Sequence, residues 1–420
     1  MIAFLFCAAG AAVLLVRPPR AYADRLNDVM AYCNALPDAT LHYHHPISQE
    51  AIEERLKFYF GPCWHRCAVG ASAGGAGGGG GVKGGKGSKD GKGGWGVCPA
   101  ASEVERVKRE LRKRGSGPGF HDAFPFAEGE WGFDSFWANV WPRFWPPSLM
   151  LYGYEFYRAT VRAGMSGSSG VEFFVRFGDK SGATVSGTPP VLGKARRSGE
   201  PESGTCSDPI LFKMERWRHF SWLTYVDEAT GSPPFGDKRD FAVWRGVTTG
   251  PSAAYRGEEG ESHPRASLVT QIDRWDESPI LDVGVTRYVQ GVPNKWGRKG
   301  GMSRARLAQH KMIILAEGND VSSGLKWALL SGSAVLMPAP TIDSWAMETL
   351  LQPWVHYIPV LTDFTDLEEK ARWCLDHLDH CEAIAKQAAC HMARHLDEAA
   401  EAAVERQVLD RVARILALYA

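Results

Sequence analysis

The stretch from Lys311 to Val360, KMIILAEGNDVSSGLKWALLSGSAVLMPAPTIDSWAMETLLQPWVHYIPV, constrains the fold more than any other part of the chain. Lys311 to Glu317 is an apolar run of strand length, and it stops at Gly318-Asn319-Asp320, residue types that favour tight or left-handed turns. Ser322 offers an N-cap hydroxyl to a short helix holding Leu325, Lys326, Trp327, Leu329 and Leu330, and Gly332 can close that helix. Ser333 to Met337 reads as the next strand, ended by Pro338 and Pro340. Asp343 is expected to open a second helix through Leu351, and Val355 to Val360 to return as a strand. The order β, α, β, α, β predicts a parallel sheet with crossover helices.

In such sheets ligands sit outside the carboxyl ends of the strands, where loops lead into helices. An anion at the EGND loop would meet the backbone N–H groups of the helix start, the hydroxyls of Ser322 and Ser323, and the Lys326 ammonium. An ordinary strand, turn and helix without a ligand fits the same pattern. No GxGxxG joins a strand to a helix, and no P-loop lysine motif is present, which disfavours an α/β dehydrogenase.

At 420 residues the chain can bury two cores. Its 48 basic and 48 acidic residues balance, so nothing in the charge points to nucleic acid. Residues 1–23 begin with the apolar MIAFLFCAAGAAVLLV and end in Ala21-Tyr22-Ala23, a signal peptide or signal-anchor pattern that predicts the secretory pathway. Of nine cysteines, Cys33, Cys63, Cys67 and Cys98 suit disulfides in an oxidising lumen. Cys374, Cys381 and Cys390 lie in a helical pattern and fit equally as buried small hydrophobes. The Cys63 to Cys67 group with His42, His44 and His45 matches no common zinc spacing.

Along the chain, Glu50 to Phe58 reads as a helix, and the glycine-rich insertion at about 68–97 has no apolar periodicity and reads as disordered. Phe120 to Leu151 is dense in Trp and Phe, suited to an irregular core or to a sugar cleft. Val171 to Phe177 predicts a buried strand ending at Gly178-Asp179-Lys180, and Gly231 to Asp240 reads as the boundary between domains. Phe241 to Gly246 is the next strand. Arg245 near its carboxyl end, followed by Thr248 and Thr249, suits a phosphate oxyanion because guanidinium offers forked donors and a permanent charge. His263 to Thr270 has helical character, Ile280 to Val285 is a further strand, and the basic run from Lys295 to Arg306 reads as a solvated loop. Thr365 to Glu368 predicts a capping box ahead of amphipathic helices, while Trp354, His356 and Tyr357 read as core.

Three motifs in order, WRGVTTG at 244–250, EGNDVSSGLKW at 317–327 and QPWVHYIPV at 352–360, closely resemble glycosyltransferase family 90, and the likeness runs over roughly 171–396. The resemblance implies an α/β fold of GT-B type, two Rossmann-like domains facing across a cleft. It divides the chain into an N-terminal acceptor-side domain at 24–235, a nucleotide-sugar-binding domain at 236–396 and a C-terminal helix at 397–420. It further implies inverting, metal-independent transfer of a hexose or pentose, glucose or xylose first, from a UDP-sugar to a hydroxyl of a protein or polysaccharide. Such an enzyme would act in the ER or Golgi lumen, without a bound cofactor, as a monomer. The strand VEFFVRFGD is similar to the one bearing the family's catalytic aspartate, which selects Asp179, although Lys180-Ser181 replaces the usual Tyr-Pro. Arg245, Thr248, Thr249, Gly318, Asn319, Ser322, Ser323 and Lys326 are the donor-binding candidates. Many members carry an arginine where this chain has Gly324, so a catalytically degenerate binding protein is the alternative.

Overall fold

The computed structural model describes residues 48–61, 124–127, 172–176, 191–198, 209–214, 232–258 and 263–417, with a few single positions before residue 164. The leader, the glycine-rich insertion, Cys63, Cys67, Cys98 and Asp179 lie outside the described residues.

The first described helix, α1 (Gln49–Phe60), starts at Ser48, whose hydroxyl accepts from the Ala51 N–H at 3.2 Å. It buries Ile52, Leu56, Tyr59 and Phe60, the spacing expected of one helix face. Strands β1 (Phe124–Ala127), β2 (Glu172–Arg176), β3 (Val191–Gly193), β4 (Ala195–Arg197) and β5 (Ile210–Leu211) follow. A four-stranded sheet runs in the order β1, β2, β3, β5, antiparallel between β1 and β2 and parallel elsewhere.

The C-terminal part carries β6 (Arg239–Val247), α2 (Ser252–Arg256), α3 (Pro264–Thr270), β7 (Leu281–Arg287), α4 (Arg304–Leu307), β8 (His310–Ile314), α5 (Leu325–Leu330) and β9 (Ala334–Met337). After them come β10 (Ile342–Ser344), β11 (Ile358–Pro359), α6 (Leu367–Asp376), α7 (Leu378–Ala393) and α8 (Glu398–Ala417). Its five-stranded sheet, in the order β11, β9, β8, β6, β7, is parallel throughout. Both of its faces are buried, as a parallel sheet requires. Val243, Ile313 and Val335 enter a core shared with α1 and the four-stranded sheet, while Ala242, Met312 and Leu336 enter a second core with α3 and α6.

The mixed α/β fold with parallel sheets agrees with the sequence reading, and Gly332 does close α5 at φ 66°. Four local expectations are corrected. Asp343 opens no helix: β10 pairs antiparallel with β4, and a 3₁₀ turn at Glu348–Leu350 follows. The Asp343 carboxylate accepts from the Thr349 N–H and hydroxyl at 2.9 and 2.8 Å, so the side chain closes a local turn in place of a helical start. Ser322 does not cap α5; the N-cap is Gly324, without a side-chain bond, and Ser322 contributes its carbonyl to the Leu325 N–H at 3.0 Å. Thr365 to Glu368 forms no capping box, because the Asp366 carboxylate takes the Leu361 N–H at 2.9 Å. Trp354 is 43% exposed at φ 63°, edge-on to Trp373, whereas Tyr357 and His356 are buried as expected.

The first and last described helices pack together. Helix α8 packs on α1 and β2, and Glu401 at its start pairs with Arg55 of α1 and with Lys213. Among the described residues there are two disulfides: Cys33, which suited a disulfide, bonds Cys390, and Cys374 bonds Cys381, so the three cysteines that also fitted as buried hydrophobes are all bonded. Among the described residues no helix is long and apolar enough to cross a membrane, and no cluster of metal-ligating side chains forms.

Candidate functional site

A cavity of about 500 Å³ opens at the carboxyl ends of β6 and β8. Its wall combines Trp244 to Val247, Arg265 of α3, the segment Met302-Ser303-Arg304, Leu315, and Ser322 to Gly324 with Trp327. Parallel strands deliver all their carboxyl ends to one edge, which is why residues far apart in sequence meet there.

Three of the expected donor-binding residues, Arg245, Ser322 and Ser323, line the cavity. The Arg245 guanidinium is already committed to the protein. Its Nη2 donates to both carboxylate oxygens of Asp282 at 2.8 and 2.7 Å, its Nη1 to the carbonyls of Trp244 and Asp282 at 2.8 Å each, and its Nε to the Gly300 carbonyl at 3.2 Å. These bonds hold Nε and both terminal nitrogens, so the guanidinium is largely committed to the protein in this arrangement. Lys299 adds a second cation to Asp282 at 3.0 Å. Burial works against charge on Asp282, but the two cations outweigh it and hold the carboxyl below its ordinary value.

Four more candidates brace the rim without lining the cavity. Thr248 is fully buried, its hydroxyl accepting from the Val289 N–H at 2.9 Å. The Asn319 side-chain carbonyl accepts from the Gly250 N–H at 3.0 Å and from Gln290 at 3.1 Å, which ties the EGND loop to the WRGVTTG loop. Gly318 passes so close to Thr249 that a Cβ there would sit 2.5 Å from the threonine hydroxyl oxygen, a contact only glycine permits. His263 pairs through Nε2 with the Gly318 carbonyl at 2.8 Å, and burial lowers its pKa, so the neutral ring donates from that nitrogen. Beneath the loop, Asp320 is gripped by the buried Lys194 at 2.6 Å.

Lys326 does not join the site. It is fully buried and paired with Glu348 at 2.5 Å, whose carboxylate also accepts from the Ser344 N–H and hydroxyl at 2.6 Å each. On a helix, residues three apart share a face and adjacent ones do not, so Trp327 reaches the cavity beside Gly324 and Lys326 does not.

The sequence reading missed Arg265 and Arg304. Arg265 donates to the Val247 carbonyl at 3.2 Å, to the Thr249 hydroxyl at 3.1 Å and to the Ala316 carbonyl, joining the ends of β6 and β8. Its Nε is buried without a partner, and the guanidinium lies 5.8 Å from the Trp244 ring. The available signal was an arginine at the start of a helix, directly after a Pro. Arg304 was hidden in a basic run that reads as solvated loop.

The family model described as Glycosyl transferase family 90 matches residues 208–418, half of the chain and the whole of this cavity. The chain belongs to glycosyl transferase family 90. O-glucosyltransferase LpsA of Dichelobacter nodosus is 32% identical over 216 residues, 51% of this chain and 58% of that protein. Protein O-glucosyltransferase 3 of Homo sapiens is 30% identical over 150 residues, 33% of this chain and 28% of that protein. Protein O-glucosyltransferase 2 of Danio rerio is 38% identical over 77 residues, 18% of this chain and 15% of that protein. The chain thus spans just over half of the first of these relatives and less of the others.

Proposed function

We propose that this family 90 member transfers a sugar, glucose before xylose, from a UDP-sugar to a hydroxyl of a protein or polysaccharide, with inversion and without a metal. The single observation that carries the reading is the cavity at the strand ends of the matched region, walled by arginines and two adjacent serines. The names of the relatives favour glucose. The GT-B arrangement, with the described parallel sheet on the donor side, is part of the proposal.

In this reading the carboxylate of Asp179 takes the proton of the acceptor hydroxyl as its oxygen bonds to C1 of the sugar. The bond from C1 to the β-phosphate oxygen breaks, and UDP leaves with the electron pair. The charge on the departing diphosphate falls to the donors of the cavity wall. Arg265, which lines the cavity, and the hydroxyls of Ser322 and Ser323 are the candidates for direct contact. Arg245, held by Trp244, Asp282 and Gly300, contributes its charge and keeps the wall in shape. Secretory localisation, in the ER or Golgi lumen, is supported by the apolar leader and by the disulfides Cys33–Cys390 and Cys374–Cys381, bonds that persist in oxidising compartments.

Arg265→Gln is expected to weaken UDP roughly tenfold to a hundredfold, as loss of charged hydrogen bonds does. Calorimetric titration of UDP checks it, and unchanged affinity would remove Arg265 from the donor site. The absent side chain at Gly324 and the committed guanidinium of Arg245 favour a second reading, a nucleotide-sugar- or glycan-binding protein without turnover. Release of UDP from a UDP-sugar without acceptor separates the two.

A further inference from the structure

Two cations share one carboxylate beside the cavity. Arg245 Nη2 donates to Asp282 Oδ1 and Oδ2 at 2.8 and 2.7 Å, and Lys299 Nζ donates to the same Oδ1 at 3.0 Å. The strands set the direction of Arg245. In the parallel register of β6 on β7, Val243 stands opposite Asp282 and Arg245 opposite Gly284. Asp282 thus lies nearer the amino ends of the strands than Arg245, and on the same face, because side chains alternate along a strand. To reach it the guanidinium lies back along the sheet, away from the loops where Ser322 and Ser323 meet the cavity.

Lys299 is placed by a different device. Its N–H bonds the Val285 carbonyl at 2.9 Å, which lays its segment beside β7. Its stem crosses Gly284 so closely that a Cβ there would sit 2.6 Å from the lysine Cβ, so glycine at 284 is what lets the ammonium reach Asp282. The two cations are not equally sealed: the Arg245 side chain is 7% exposed and that of Lys299 33%. A partly buried carboxylate stripped of Arg245 would be left with an uncompensated charge, and Lys299 already stands where it prevents this.

We propose that Asp282 and Lys299 are positioning residues for Arg245: Asp282 competes with the diphosphate of the nucleotide sugar for the guanidinium, and Lys299 keeps Asp282 neutralised when Arg245 turns to the diphosphate. The proposal rests on the nucleotide-sugar reading above. Held by Asp282, Arg245 gives the cavity only its charge; turned to the diphosphate, it adds charged hydrogen bonds. The balance between the two positions is set by the difference in what each anion offers.

The test is calorimetric titration of the full chain with UDP and, separately, with uridine, which lacks the phosphates. Asp282→Asn keeps the size of the side chain and removes the competing charge, so UDP is expected to bind on the order of tenfold more tightly while uridine affinity stays unchanged. Lys299→Met should weaken UDP by a similar factor on its own. Added to Asp282→Asn it should change nothing, because no charge then remains at 282 for it to neutralise. A lysine that met the phosphates directly would show the same loss in both backgrounds, and an Asp282 that only supported the fold would lower the melting temperature without tightening UDP. Unchanged or weaker UDP binding in Asp282→Asn, or an equal Lys299→Met loss in both backgrounds, would overturn the exchange while leaving the nucleotide-sugar reading intact. A wild-type chain that does not bind UDP would overturn both.

Discussion

Glu401→Ala is expected to destabilise the protein by about 3–5 kcal/mol, a large part of the ~5–15 kcal/mol that holds a typical fold together. Glu401 is buried and meets Arg55 at 2.6 Å and Lys213 at 2.7 Å, each of them buried as well. Arg55 also donates to the Tyr59 hydroxyl at 2.9 Å, which donates to the Trp345 carbonyl at 2.7 Å. One carboxylate thus neutralises two cations at the seam where α1, the segment after β5 and α8 meet. Removing it takes the shared carboxylate from both buried cations, and neither can reach water without opening the seam. Denaturant unfolding measures the loss. The exposed pair Arg372–Glu368, 2.6 Å apart on α6, is the control and should be worth under ~1 kcal/mol. A Glu401→Ala loss as small as that control would contradict the description of the seam.

The same region sets the response to acid. Burial pushes His356 down to about 4, His395 down to about 3 and His391 well below its ordinary value, so all three are neutral in the fold. In the unfolded chain they take up protons below pH ~6.5. The unfolded state therefore binds more protons, and stability falls as pH drops from that point, by ~1.4 kcal/mol per pH unit for each histidine until its folded pKa is reached. Burial alone would raise Glu401, but Arg55 and Lys213 carry it well below the ordinary carboxylate range. Its contribution is present above the unfolded carboxyl value and declines only as pH falls below it, which steepens the acid limb.

Asp179→Asn is expected to lower the transfer rate by about 10²–10⁴, the range of general base catalysis, with UDP affinity unchanged. The amide keeps the size of the carboxylate and cannot take the acceptor proton. Asp179 is assigned by the resemblance of VEFFVRFGD to the family's catalytic strand, so its test is independent of the cavity geometry. Comparing transfer rate with UDP binding in one variant separates a base from a donor-contacting residue. Normal turnover would remove Asp179 from the mechanism.

The parallel sheet was legible because its strands are apolar runs punctuated by glycine and proline, and local pattern suffices for that. The Ile342 to Ser344 segment was not, because its partner β4 lies far earlier in the chain and only that pairing makes it a strand. The candidate site divides in the same way. Arg245, Ser322 and Ser323 line the cavity because strand ends and the loops after them converge at one edge of the sheet. What sequence could not supply was the occupancy of each donor. Nothing around Arg245 announces that Asp282, 37 positions on, takes both ends of its fork. Lys326 shows a different limit, since a basic residue near a loop proved to belong to the buried face of a six-residue helix. Arg265 and Arg304 were passed over because an arginine in a helix or in a basic run has no local mark of burial.

UDP release from UDP-glucose by the purified chain, measured in EDTA and again with added Mn²⁺, tests the central claim most directly. Wild type is expected to release UDP slowly without acceptor and at the same rate with or without the metal, while Asp179→Asn binds UDP and releases far less from the sugar nucleotide. Absence of both UDP binding and turnover across a panel of UDP-sugars, or a strict need for Mn²⁺, would contradict it.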